Sequence, residues 1–299
     1  MPKCIYSFLA LFFVTVSTAS ISQAKDVQLT HNGLVLNGRL EVAPSKTLED
    51  GVILMLHGTL AHHAMETISG LQDVLTERDF STLAISLGFG INDRRGMYDC
   101  TIPATHQYRD ALTELGAWVK WLKQQGAKQI TLFAHSRGGA QAALYMSENP
   151  DPVVKHSVLL APSTWDKDKA SAGFKTTHNA ELNERLQQAR ALSDSGKGMI
   201  MMKGVGVLYC AGADVSAQSF LSYYQPDPRF DTPTLLPQIS IPTLVIAGEL
   251  DEVVKGLPKR IEPLINESLS LQVVEGAGHF FLDLFGEDVA DYMEEFLAN

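Results

Sequence analysis

The chain predicts an α/β fold, a mostly parallel central sheet with helices on both faces. Three observations carry that expectation. Continuous apolar runs recur at Gly51–Gly58, Ser81–Leu87, Val153–Leu160 and Thr243–Gly248, as strands buried on both faces require. Between them lie segments whose apolar residues fall at helical spacing. At Gln129–Met146 an apolar run turns on small residues around Ser136 and continues as a helix.

Composition bounds the rest. The 299 residues are 45% hydrophobic and 19% charged, without internal repeats, which suits one large α/β domain with an insertion. A formal net charge of −10 argues against nucleic acid, whose phosphates need a basic face. Residues 1–24 read as a signal peptide, with Lys3 at the start, apolar Cys4–Thr18 and a small-x-small site at Ser22-Gln-Ala24. The competing reading is a membrane anchor, but the apolar stretch falls short of the roughly 20 residues of a spanning helix. The expectation is a periplasmic or secreted mature chain without stable membrane insertion. Oligomeric state is not legible.

Taken in order, Val27–Val42 alternates apolar and polar residues around Asn32-Gly33 and Asn37-Gly38, a hairpin signature. The strand at Gly51–Gly58 leads to a helix over Met65–Asp79, with Met65, Ile68, Leu71 and Leu75 on one face. After the strand at Ser81–Leu87 comes a long connection, Gly88–Pro103. Tyr108, Ala111, Leu112, Leu115, Trp118, Val119 and Leu122 then mark the clearest helix, stopped at Gly126. The Ser136 strand and helix follow, then the strand ending at Leu160. The alternation resumes at Thr243 with a helical segment over Pro258–Asn266, a strand over Leu269–Val274 and a helix over Gly286–Leu297. Residues 25–164 and 241–299 therefore form the core. Residues 165–240 break the pattern and read as a lid inserted over the strand ends.

In an open parallel sheet, ligands bind beyond the carboxyl ends of the strands. Four features fall there: His57-Gly58-Thr59, Ala134-His-Ser136-Arg-Gly138, Gly248-Glu-Leu-Asp251 and Gly276-Ala-Gly-His279. In this order, on this alternation, the chain resembles the α/β-hydrolase superfamily over nearly all of its length after residue 24. The elbow of that family is usually Gly-x-Ser-x-Gly, and Ala134 stands at its first glycine.

The resemblance implies a role for each feature. Ser136 is the candidate nucleophile, against the plainer reading of a helix cap. His279 is the candidate general base; His135, beside the serine, and His156, at a strand start, do not suit that role. Asp251 is the candidate acid that orients His279, with Glu249, Glu252 and Asp166 as competitors. The oxyanion donors are expected to be the backbone N–H groups of Thr59 and Arg137. His57, His62 and His63 lack thiolate or carboxylate neighbours at ligand spacing, so no metal is expected, and no cofactor. Arg94, Arg95 and Arg137 are candidates for an anionic substrate group, against the plainer reading of solvated arginines.

Cys100, in the long connection, and Cys210, in the insertion, remain after removal of residues 1–24. They form either a disulfide tying the lid to the core or two buried thiols. The expected function is a serine hydrolase cleaving a small-molecule carboxylic ester through an acyl-enzyme. Phe174, Phe220, Tyr223 and Tyr224, with Met199, Met201 and Met202, suggest an apolar or aromatic substrate group. An amidase or peptidase, a thioesterase and an acyltransferase use the same three residues. A binding protein that keeps the fold without turnover is the alternative of another class.

Overall fold

The computed structural model describes residues 24–148 and 150–298. The signal-peptide reading of residues 1–24 lies outside the described residues, apart from Ala24. Strands β1 (Ala24–His31) and β2 (Leu34–Glu41) form the antiparallel hairpin. Its turn is Asn32-Gly33, with φ of 48° and 79°. Asn37-Gly38 instead lies inside β2. There the Asn37 side chain accepts from Gln28 and donates to the Arg94 carbonyl, so it needs no turn to satisfy it.

Then come β3 (Val52–Leu56), α1 (Glu66–Glu77), β4 (Thr82–Ser86), α2 (Asp110–Gln124), β5 (Ile130–His135), α3 (Arg137–Ser147) and β6 (Val154–Leu160). The segment after β6 holds α4 (Lys167–His178), α5 (Leu182–Asp194), the short strands β7 (Met201–Met202) and β8 (Val215–Ser216), α6 (Ala217–Tyr224) and α7 (Thr232–Leu235). The chain closes with β9 (Thr243–Gly248), α8 (Leu257–Ile261), β10 (Leu269–Val274) and α9 (Phe285–Ala298).

The main sheet has eight strands in the order β1-β2-β4-β3-β5-β6-β9-β10. From β4 to β10 neighbours run parallel; β2 meets both β1 and β4 antiparallel. Strands β3, β4, β5 and β9 are buried at every position, which is why their sequences read as unbroken apolar runs. The connection β3-α1-β4 moves one way along the sheet, and β4-α2-β5 moves back past β3. With right-handed crossovers this reversal puts α1 and α2 on opposite faces. Accordingly α1 packs against α9, and α2 against α3. The reversal also opens a crevice between the carboxyl ends of β3 and β5, where such sheets take ligands.

The segment between β6 and β9 sits at this end. Phe220 is fully buried in it, edge-on to Phe174 and tilted against Tyr224. Side chains and short backbone pairings fasten it to the core. Ala104 accepts from Ser216 N–H at 2.9 Å and donates to Asp214 at 2.8 Å. Buried Asp231 takes both Arg260 Nη groups, at 2.8 and 2.7 Å, and the Trp165 N–H. Cys100 and Cys210 form a disulfide, Cα atoms 5.2 Å apart, across a sequence separation of 110. Among the described residues no helix is long and apolar enough to cross a membrane.

Candidate active site

Ser136 stands between β5 and α3 with φ 56° and ψ −123°, a conformation that costs an L-residue on the order of 1–3 kcal/mol. The neighbours hold it there. Its N–H donates to Leu160 O at 2.9 Å, and its own carbonyl accepts from Ser163 at 2.9 Å and Ala140 at 3.2 Å. A Cβ on Gly138 would lie 2.2 Å from the His57 carbonyl, so the first turn of α3 can press against the β3 loop only with glycine there. Ala134, the elbow's departure from glycine, is fully buried in β5.

The loops after β9 and β10 bring the other side chains. A Cβ on Gly248 would lie 2.5 Å from Ala277 O, and Leu250 N–H donates to that carbonyl at 2.9 Å. This contact carries Asp251 up to His279. Asp251 Oδ2 lies 2.7 Å from His279 Nδ1, and His279 Nε2 lies 2.8 Å from Ser136 Oγ. The consistent proton arrangement is Nδ1–H donating to the carboxylate and the serine hydroxyl donating to Nε2. All three residues are buried. Burial pushes the Asp251 carboxyl up, but the His279 bond and the N–H groups of Val253 and Val254 outweigh it and leave its pKa lowered.

The competing carboxylates are engaged elsewhere. Glu249 accepts from Gly276 N–H at 2.9 Å, Glu252 pairs with Lys255, and Asp166 caps α4 through the N–H groups of Asp168 and Lys169. Thr59 and Arg137 flank Ser136, and Arg137 Nε donates to Thr59 Oγ1 at 3.2 Å. Arg137 opens α3, so its N–H has no partner within the helix. Both N–H groups stay clear of protein acceptors among the described residues.

Three other polar side chains shape the site. His135 donates Nε2–H to the His279 carbonyl at 2.9 Å, and burial pushes its pKa down to about 4, so it stays neutral. Buried His57 links its own loop to the residue after β4, with Nδ1 2.8 Å from Gly58 O and Nε2 accepting from Leu87 N–H at 3.1 Å. Arg94 is no surface cation. It is buried, donates to the Leu87 and Ala61 carbonyls at 2.7 and 2.8 Å, and lies 4.7 Å from the Phe89 ring centre. Arg95 is exposed and pairs with Asp93 and Asp26. His63 is bonded to Ser86 Oγ at 2.8 Å, and His62 is half-buried beside it.

A cavity of about 640 Å³ opens above Ser136, between the core and the inserted segment. Of the aromatic and methionine residues expected around a substrate, Phe174, Tyr223 and Tyr224 line it. Phe220 is spent on the segment's own packing, Met202 is buried, and Met199 is 61% exposed away from the cavity. Composition could not separate these, because a lid core and a substrate wall use the same side chains. Trp165, Tyr209 and Phe230 line the cavity without having been singled out in the sequence, and so does Tyr108, which was expected on the α2 face and lies just before that helix.

The sequence pattern of the alpha/beta hydrolase family matches residues 53–292, which spans all of these loops. The chain belongs to the alpha/beta hydrolase family. No curated protein sequence matches it. Among solved structures, this alpha/beta hydrolase is similar to Est1E from Butyrivibrio proteoclasticus, at 16% identity over 92% of this chain and 99% of that one, TM-score 0.63. It is also similar to DcsB in complex with its substrate analogue, at 17% identity over 93% and 98%, TM-score 0.67. The Pyrococcus furiosus esterase Pf2001 matches at 19% identity over 93% and 91%, TM-score 0.59. At these identities the likeness is one of fold.

Two residues beside the site could not have been assigned from the sequence. His135 stood next to the serine with no sign that it would reach the His279 backbone. Arg94 carried the signal of a loop arginine and nothing of its burial. A polar residue's partner two loops away leaves no mark in local spacing.

Proposed function

We propose that this alpha/beta hydrolase is a serine hydrolase that cleaves a carboxylic ester of a small molecule. The observation that carries the reading is the continuous hydrogen-bond chain Ser136–His279–Asp251, ending on a serine held in a strained turn beneath a cavity. Ser136 Oγ attacks the ester carbonyl carbon as its proton passes to His279 Nε2. The carbonyl oxygen takes up negative charge facing the N–H groups of Thr59 and Arg137. One such donor stabilises the transition state by about 3 kcal/mol. Collapse of the tetrahedral adduct breaks the bond to the alcohol, which leaves with the proton from His279. Water then repeats the attack on the acyl-enzyme and releases the acid. Asp251 keeps Nδ1–H in place and stabilises the imidazolium throughout.

The structures of an esterase from Pyrococcus furiosus and of Est1E with bound ferulic acid support an ester and a small molecule. Residues 165–240 act in this reading as the lid. The Cys100–Cys210 disulfide supports an oxidising compartment, and we read the mature chain as periplasmic or secreted.

Labelling of folded protein with a fluorophosphonate probe, read by peptide mass, tests the proposal. The label is expected on Ser136, absent in Ser136→Ala and sharply reduced in His279→Ala. A folded protein that takes no label would overturn it.

A further inference from the structure

The backbone and side chain of Arg137 face the cavity with different groups. Its N–H lies at the start of α3, beside the nucleophile. Its guanidinium donates through Nε to Thr59 Oγ1, which leaves the Nη1/Nη2 edge without a protein acceptor among the described residues. No carboxylate there comes within ion-pair distance of it, whereas Arg95, Arg109, Arg229 and Arg260 each hold one. Arg137 is half-buried and lines the cavity.

The cavity wall strengthens the imbalance. It carries Arg137 and Lys169 against Asp166, with Lys255 and Glu252 paired to each other, in a chain whose formal net charge is −10. Both carboxylates are already engaged, Asp166 in capping α4 and Glu252 with Lys255. The guanidinium also lies near a phenolic wall. Burial pushes the Tyr108, Tyr223 and Tyr224 hydroxyls up, and the Arg137 charge works against that rise at each of them. The result is an open planar fork for a carboxylate next to aromatic surface for a flat or apolar body.

We infer that Arg137 forms an anion subsite, and that the ester taken up in the functional reading above carries a carboxylate beside an aromatic or apolar body. The subsite rests on that reading for the ester and on the unpaired guanidinium for the charge. One residue thus serves both the developing oxyanion, through its N–H, and a standing negative charge on the substrate, through its side chain.

Two matched ester pairs test this on the full protein. One pair places the charge on the acyl part, 4-nitrophenyl hydrogen adipate against 4-nitrophenyl hexanoate. The other places it on the alcohol part, 4-acetoxybenzoate against its methyl ester. At least one pair is expected to favour the anion by about tenfold or more in kcat/KM, the scale of a charge-assisted hydrogen bond. That ratio falls to near one in Arg137→Gln and is partly kept in Arg137→Lys. A wild-type ratio at or below one in both pairs overturns the subsite, as does a ratio that survives in Arg137→Gln. Turnover of the neutral esters that disappears in Ser136→Ala carries the hydrolase reading by itself, so either idea can fail alone. Calorimetric binding of 4-acetoxybenzoate and its methyl ester to the Ser136→Ala protein reads the subsite without turnover. Equal affinity for the two counts against it.

Discussion

The loops at the ends of β3, β5, β9 and β10 and the inserted segment over them are held in opposite ways. The loops are pinned at their tightest points by backbone against backbone, with side-chain bonds from His57, His135 and Glu249 beside them. Space for a Cβ is missing at Gly138, 2.2 Å from His57 O, and at Gly248, 2.5 Å from Ala277 O. The insertion is fastened mainly by side chains: one disulfide, the Asp231–Arg260 pair and its own aromatic cluster. Backbone contacts of the first kind tolerate almost no substitution, because there is no rotamer that relieves them. Side-chain fastenings can be exchanged one at a time. In the functional reading proposed above, the difference separates where the reacting groups stand from what is admitted to them.

The sharpest way to break this comparison is Gly138→Ala. The added methyl would stand inside the His57 carbonyl, and the expected cost is on the order of 4 kcal/mol of stability, with loss of the ester turnover proposed above. Denaturant unfolding measures it; a shift below about 1 kcal/mol would mean that the β3 loop yields and is not backbone-pinned. Removing the disulfide comes next. Reduction, or Cys100→Ser with Cys210→Ser, should cost about 2–5 kcal/mol, toward the upper end because the closed loop is long, seen as a lower Tm. Limited proteolysis should then cut within residues 165–240 before it cuts the core, and cleavage in the core first would contradict the division drawn here. The smallest effect tests the insertion's tolerance. Gly173 lies inside α4 with nothing within 4 Å of an added Cβ, so Gly173→Ala should stabilise by about 0.5–1 kcal/mol. A destabilised variant would show that α4 packs more tightly than its side-chain fastening implies.

Much of the core was legible because its signals are local. A strand buried on both faces must be apolar along its whole length, and a helix on a sheet must repeat its apolar residues every third or fourth position. The order of strands and helices follows from those periods, while the family resemblance needed the four motifs at the strand ends as well. The hairpin shows the limit. Asn32-Gly33 and Asn37-Gly38 look alike in sequence, yet only the first turns the chain. The second is absorbed by partners at Gln28 and Arg94 that lie on other segments. Phe174 and Phe220 diverge for the same reason, one facing the cavity and the other the insertion's interior.

The sequence by itself determined the alternation of elements, the chain order of Ser136, Asp251 and His279 at strand ends, and the segment that interrupts the pattern. Tertiary structure alone decided which polar groups meet: His135 with the His279 backbone, Arg94 with the carbonyls around the β3 loop, Cys100 with Cys210. It also decided that Arg137, unlike Arg94, lines the cavity with its Nη groups unpartnered among the described residues. The physical reason is one of range. Secondary structure is set by neighbours a few residues apart along the chain. A buried polar group is satisfied by whatever acceptor folding delivers, and that acceptor can lie anywhere in the sequence.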